Sequence, residues 1–519
     1  MLEIQKIMDK TDRVKNLIDR ISKARTADEL TEIVKDLHLE MQELTELTKK
    51  RLKDMKSDSE KDDLQVAMAL LKITTPIMIA SSKAYIHHPE LREAEYNRNY
   101  AMTEMRDALM GVKCALNGEE VPSHIGISQK GYLNDLVNNL ELFDRKIYIP
   151  HKSYQENTNR PQLEELLEKI VSGAARIADF SDTRHSRKGQ IVDATNNLRD
   201  ALQRLLNEYE QNVRLSEPSD DLGYCIENVV LKTRDLRRHL RRAIADLVSD
   251  AFLDTKTPIR MLIEAASTGN EDITIQQAHF FKEHADRMVA QRICEMSTDQ
   301  DANRVVRYAA LCCERLIPQV IHAAKLLCEK KDSPFTQENM AVFKSTWEDR
   351  VNLLTMAADR MISVVDFLAV SEAHIQEDTK QAIQGIVEKD PDTIDRAAGA
   401  IRGRSLRVCE FVDSEMDSYP PCAYADNVRM ATRILRDSVL PTFVSKATKV
   451  VNAVSHHASE MSPEETERET DEMISACELI DNAVKDIRTA VLRNRNPEDV
   501  DSDNEYIEDG GTTAIDNII

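Results

Sequence analysis

An all-α fold of serial antiparallel helix bundles is what this 519-residue sequence predicts, and three observations carry that prediction. Glycine is scarce, at 13 residues where average usage would give about 36. Apolar residues recur at helical spacing almost everywhere. The periodic runs are long and the breaks between them short, which is the pattern of antiparallel bundles. A chain this poor in glycine has few tight turns and few phosphate-cradling loops, and sheet-rich folds use more of both.

The run over 191–209 illustrates the period. Ile191, Ala194, Leu198, Ala201, Leu202, Leu205, Leu206 and Tyr209 fall at three-, four- and seven-residue intervals, forming one stripe. The same rhythm recurs over 30–52, 64–86, 305–327 and 473–492. Polar starts resembling helix caps lie at 26–29 and 336–338. Pro89, Pro161, Pro218 and Pro258 sit near expected helix starts, whereas Pro76 and Pro318 lie inside helical runs and predict kinks or breaks. About sixteen helices follow, with longer connectors at 117–130 and 150–161. The stretch 497–519 is acidic and cannot bury a core.

Length suggests about three to five domains at roughly 100–200 residues each. Lys and Arg number 69 against 91 Asp and Glu, a formal charge of −22. Such an acidic surface repels nucleic-acid backbones, so no nucleic-acid partner is expected. Nine cysteines, scattered and without a C-x-x-C, suit reduced thiols rather than a disulfide framework. No run approaches 18 uncharged apolar positions, so no membrane insertion is expected, and the charged first ten residues do not read as a signal peptide.

Candidate chemistry is thin. His87 and His88 lack a third ligand at helical spacing and read as a surface turn. Adjacent Cys312 and Cys313 point about 100° apart on a helix and read as core. The basic run at 234–242 has Asp235 within it and Asp246 and Asp250 after it, without interleaved aromatics. It reads as a solvated or salt-bridged helix face rather than a base-stacking surface. Gly399 and Gly403, in a charged helix, suit close helix approach. No motif for nucleotide binding, metal hydrolysis or a nucleophile elbow occurs, so neither an enzyme nor a cofactor is expected. The 191–209 stripe reads first as a core helix. A helix with one broad apolar face can also leave its bundle for a partner's groove.

Four long strings then carry a resemblance: TRDLRRHLRRAIADLVSDAFLDTKTPIRMLIEAASTGNE at 233–271, DFLAVSEAHIQED at 366–378, IDRAAGAIRGRSLRVCEFVDSEMDSY at 394–419 and KDIRTAVLRNRNPEDVDSDNE at 485–505. With the more diffuse LLKITTPIMIASSKAYIHHPEL at 70–91, the chain resembles the α-catenin branch of the vinculin/α-catenin family over nearly its whole length. The resemblance implies serial four-helix bundles: an amino-terminal-domain remnant at 1–118, middle bundles at 131–255, 256–366 and 367–495, and an acidic linker at 496–519. It implies a cytoplasmic adaptor of adherens junctions and the cytoskeleton, one that ties cadherin–β-catenin complexes to actin and recruits vinculin under tension. It also implies that most β-catenin-contacting helices and the carboxy-terminal actin-binding bundle are missing from this stretch.

By position, the family's vinculin-binding helix matches 190–209, with Leu202, Leu205 and Leu206 as anchors beside Ile191, Ala194 and Leu198. Family charge pairs that restrain the closed state match Arg184 with Glu377, Asp135 with Arg404, and Asp359 with Arg407. Apart from the resemblance, Ser502 between Asp501 and Asp503 is a candidate acid-directed phosphorylation site. The alternative function is a passive helical spacer or dimerisation module that never opens.

Overall fold

The computed structural model describes residues 2–122, 135–179, 184–289, 300–455 and 463–493. Among the described residues every long element is helical. The first four are α1 (Leu2–Ile21), α2 (Ala27–Asp54), α3 (Asp58–His87) and α4 (Arg92–Asn117). Next come α5 (Asp135–Lys146), α6 (Glu156–Ala178), α7 (His185–Asn212) and α8 (Asp220–Ala251). Then follow α9 (Thr257–Thr268), α10 (Glu271–Val289), α11 (Gln300–Glu329) and α12 (Pro334–Asp359). The last are α13 (Val364–Glu388), α14 (Pro391–Met416), α15 (Ala423–Ile434), α16 (Leu440–Val454) and α17 (Pro463–Leu492).

Local chemistry sets many of the ends. Thr26 caps α2 by accepting from the Glu29 amide, and Ser219 caps α8 by accepting from the Leu222 amide. The expected cap at 336–338 lies elsewhere. Ser333 precedes the helix, Pro334 opens it, and the Thr336 hydroxyl instead donates to the Lys330 and Ser333 carbonyls. The 150–161 connector is also shorter than expected. A 3-10 turn at His151–Ser153 leads into α6 by Glu156, which carries Pro161 inside it. Pro76 and Pro318 lie within α3 and α11. Between α15 and α16 the helix widens into a π-turn at Leu435–Val439, where the Leu440 amide reaches the Leu435 carbonyl. Pro441 follows at once, and its missing N–H and its ring disfavour the tighter α-helical bond there.

The helices gather into two compact units: Met1–Asn134 with Asp254–Met361, and Asp135–Leu253 with Ile362–Ile519. Each unit joins two non-adjacent stretches of the chain. In the first, α3 packs along α4 and α12, and α4 along α11. Asn97 of α4 is buried between them, accepting from Asn339 Nδ2 at 3.0 Å and donating to the Gln319 carbonyl at 2.9 Å. Trp347 is 1% exposed and meets Phe281 edge-on. Helix α3 is long and apolar enough to cross a membrane by length and composition, with an 18-residue window of mean hydropathy 1.5, although Lys72 and Lys83 interrupt its apolar run. Half of that window is buried, with Leu64, Leu71, Met78 and Ala84 in the protein core.

In the second unit α5 to α8 pack around α7, while α13, α14, α16 and α17 pack around stacked Phe367 and Phe411. Helix α8 packs along α13, which joins the two groups. At Gly403 a Cβ would stand 3.0 Å from Leu253 Cδ1, so close approach explains that glycine, whereas Gly399 faces open space.

Candidate functional site

The apolar stripe at 191–209 lies on α7 and faces inward. Leu198, Leu202, Leu205, Leu206 and Tyr209 are fully buried, with Ile191 at 1% and Ala194 at 7% exposure. Burying each such leucine contributes about 1.5–3 kcal/mol relative to leaving it in water. The helix therefore stays in its bundle unless an equally apolar surface replaces α6 and α8. Its outer face is polar: Arg199 pairs with Glu168, and Gln203 donates to Glu164. These exposed pairs contribute about 0–1 kcal/mol each.

The amino-terminal end of α7 meets a buried network of charge. Arg187 Nε donates to Asp246 Oδ2 at 2.8 Å, and Asp246 also accepts from His374 Nε2 at 2.9 Å. Arg404 lies at the centre, 6% exposed at its side chain, with Nε on Asp378 at 2.7 Å and Nη2 on Asp250 at 2.8 Å. Its Nη1 reaches His374 Nδ1 at 3.0 Å and Ser249 Oγ at 3.2 Å. A guanidinium only donates, so His374 Nδ1 accepts there and Nε2 carries the proton given to Asp246. Arg184, the residue before α7, bonds Glu377 and both Asp250 oxygens. Helices α7, α8, α13 and α14 are thus tied by one set of side chains.

The electrostatics separate two carboxylates. Burial acts against the Asp246 charge, but the His374 hydrogen bond and Arg187 outweigh it and hold the group below the usual carboxylate range. At Asp378 burial wins over Arg404 and raises the pKa. Burial opposes the Arg184 cation, yet Asp250 and Glu377 more than offset it and raise its pKa.

Of the three charge pairs implied by the resemblance, Arg184 and Glu377 are brought together. Asp135 opens α5, and its side chain lies outside the described residues; Arg404 bonds Asp378 and Asp250. Asp359 is the last residue of α12, and Arg407 lies on α14, 5.8 Å from the Phe367 and Phe411 ring centres. Ser502 lies outside the described residues. Sequence reading missed Arg187, Asp246, Ser249, Asp250, His374 and Asp378 as parts of the network. Their signal was present as spacing: Asp246 with Asp250, and His374 with Asp378, stand four apart and share a helix face.

The other motifs resolve simply. Arg237 pairs with Asp144, Arg238 with Asp235, and Arg241 and Arg242 with Asp366, so the basic run is salt-bridged. His87 stacks on Phe335, and His88 bonds Ser333. Among the described residues no group of three metal-ligating side chains converges.

Comparison with known proteins agrees with this architecture. The family model described as Vinculin family matches residues 1–515. The chain is 42% identical over 520 residues to the α-catenin-like protein hmp-1 of Caenorhabditis elegans, covering 98% of this chain and 56% of that protein. It is 37% identical to catenin alpha of Drosophila melanogaster, covering 98% and 54%, and 36% identical to catenin alpha-2 of Mus musculus, covering 98% and 52%. The chain spans about half the length of the curated relatives it matches. The crystal structure of the HMP-1 M domain aligns with TM-score 0.65 and 46% identity, over 69% of this chain and all of that one. A sponge vinculin homolog aligns with TM-score 0.81 over 95% of this chain and 60% of its own, and at 17% identity this shows the fold alone.

Proposed function

Since this chain belongs to the vinculin family, a family of structural scaffolds rather than enzymes, we propose that it is a cell-adhesion scaffold whose α7 is released to bind vinculin when the second unit opens under tension. The observation that carries the reading is the arrangement of α7 itself. Its apolar face is wholly buried, and the restraint on its amino-terminal end is a set of charges shared by four helices. An apolar face that can be exchanged between two bundles and a polar tie that can be broken are the two parts such a switch requires. Mechanical load favours the longer, open arrangement and so shifts the population.

Attachment to cadherin–β-catenin complexes, to actin filaments and to cytoplasmic adherens junctions is proposed from relatives about twice this length. Binding of purified vinculin head tests the reading. Leu205→Ala plus Leu206→Ala is expected to abolish binding, while Arg404→Glu plus Arg407→Glu is expected to strengthen it. A chain that binds no vinculin head in any of these forms is a passive spacer.

A further inference from the structure

We propose that Tyr209 is a latch for the carboxy-terminal end of α7, and that its two hydroxyl hydrogen bonds must break before the helix can leave. The proposal deepens the reading of α7 as a releasable helix and rests on it. In the sequence Tyr209 is only the last apolar position of the stripe. In the structure it is fully buried, and its hydroxyl is saturated by main chain. It donates to the Ile147 carbonyl at 2.7 Å and accepts from the Ile149 amide at 3.0 Å. Both groups belong to the connector between α5 and α6, which bends over the end of α7.

That connector is fixed in turn. Ile147 is fully buried. Tyr154 is 4% exposed and stacks on the Tyr209 ring, with centroids 5.0 Å apart and planes within 13°. The Tyr154 hydroxyl donates to Glu156 at 2.6 Å in the first turn of α6. When α7 leaves, Tyr209 takes its hydroxyl away from two backbone groups at once, and a buried unpaired backbone group is costly. The helix is thus held by charges at one end and by neutral bonds at the other. Salt screens the exposed part of the first, where Arg184 meets Glu377, and leaves the neutral bonds unaffected. Tyr209 is a positioning residue: it holds α7 through the connector and is separate from the Leu202, Leu205 and Leu206 anchors that would meet a partner.

Tyr209→Phe isolates the effect, because it removes the hydroxyl and keeps the ring. Titrating vinculin head into the purified chain, Tyr209→Phe is expected to bind about tenfold more tightly than wild type, with the gain persisting at high salt. Amide exchange at Ile149 is expected to quicken by about tenfold or more. Tyr96→Phe, which loses a half-exposed phenol on α4 of the first unit, is expected to leave affinity unchanged. Tyr209→Phe affinity within twofold of wild type, or unaltered Ile149 exchange, overturns the latch, as does an equal gain from Tyr96→Phe. If wild type, Tyr209→Phe and Arg404→Met all fail to bind vinculin head, the partner reading fails instead. Ile149 exchange then decides the latch alone, with faster exchange supporting it and unchanged exchange overturning it.

Discussion

Replacing Arg404 by methionine removes the cation at the centre of the network while keeping most of the side-chain volume. The size of the effect follows from which bonds differ between closed and open states. Asp378 sits on α13, which stays packed on α14, so the 2.7 Å bond to Asp378 is lost equally in both states of the variant. The bonds to Asp250 at 2.8 Å and Ser249 at 3.2 Å lie on α8 and exist only while α8 remains against α13. A charge-assisted bond contributes about 1.5–3 kcal/mol, and Asp250 is 38% exposed, which screens it. A net shift of about 2 kcal/mol toward the open state is expected, or roughly thirtyfold in vinculin-head affinity where the closed state dominates. Isothermal titration of wild type and Arg404→Met at one salt concentration measures it. An affinity within threefold of wild type refutes the network as a restraint, because a central cation bonded to Asp378, Asp250, His374 and Ser249 could not then distinguish the two states.

The remaining expectations concern neighbouring groups. Glu377→Gln should change affinity by less than about fivefold, since Glu377 is 55% exposed and such pairs contribute about 0–1 kcal/mol; the same titration checks it. Leu205→Ala plus Leu206→Ala should lower stability by several kcal/mol, at about 2–5 for each fully buried leucine. Urea unfolding followed by circular dichroism reads that loss. His239 on α8 is held neutral by burial and then by Arg238, Arg187 and Arg242, which lower its pKa to about 4. Its folded-state pKa lies below the unfolded one, so below neutral pH the unfolded chain takes up the proton first. Stability should therefore fall as pH drops from about 6.5 toward 4, by about 1 kcal/mol at pH 5 once solvent screening of the half-buried ring is allowed for. His239→Gln should flatten that slope in urea titrations at pH 7 and pH 5, and an unchanged slope would assign it to other groups.

Asp246 and Asp378 act in opposite directions at lower pH. Asp246 is depressed in the folded state, so its contribution is present above the ordinary carboxylate range and is lost as pH falls through the lower folded value. Asp378 is raised, so protonating it favours the folded state across the interval just above the ordinary value. Asp246→Asn should therefore flatten the acid limb of the stability curve in urea titrations, and Asp378→Asn should steepen it.

Helicity was written in the sequence because it is local. A 3.6-residue apolar period, scarce glycine and caps such as Thr26 need no information from elsewhere in the chain. The inward face of α7 was legible for the same reason, and so was the absence of catalytic motifs. The long strings of the family added Arg184 with Glu377, a pair 193 residues apart that no periodicity could have matched. Tertiary structure alone decided the rest. It joined α3 and α4 to α11 and α12, and α8 to α13, because buried faces choose neighbours by shape and not by sequence order. It converted Asp246, Asp250, His374 and Asp378 from ordinary polar positions into one network around Arg404. It also turned Tyr209 from the end of an apolar stripe into a hydrogen-bonding group, since only the fold brings the backbone of Ile147 and Ile149 over its hydroxyl. Patterns fix which side of a helix is buried, while the partner of a buried polar atom depends on groups that the chain supplies from far away.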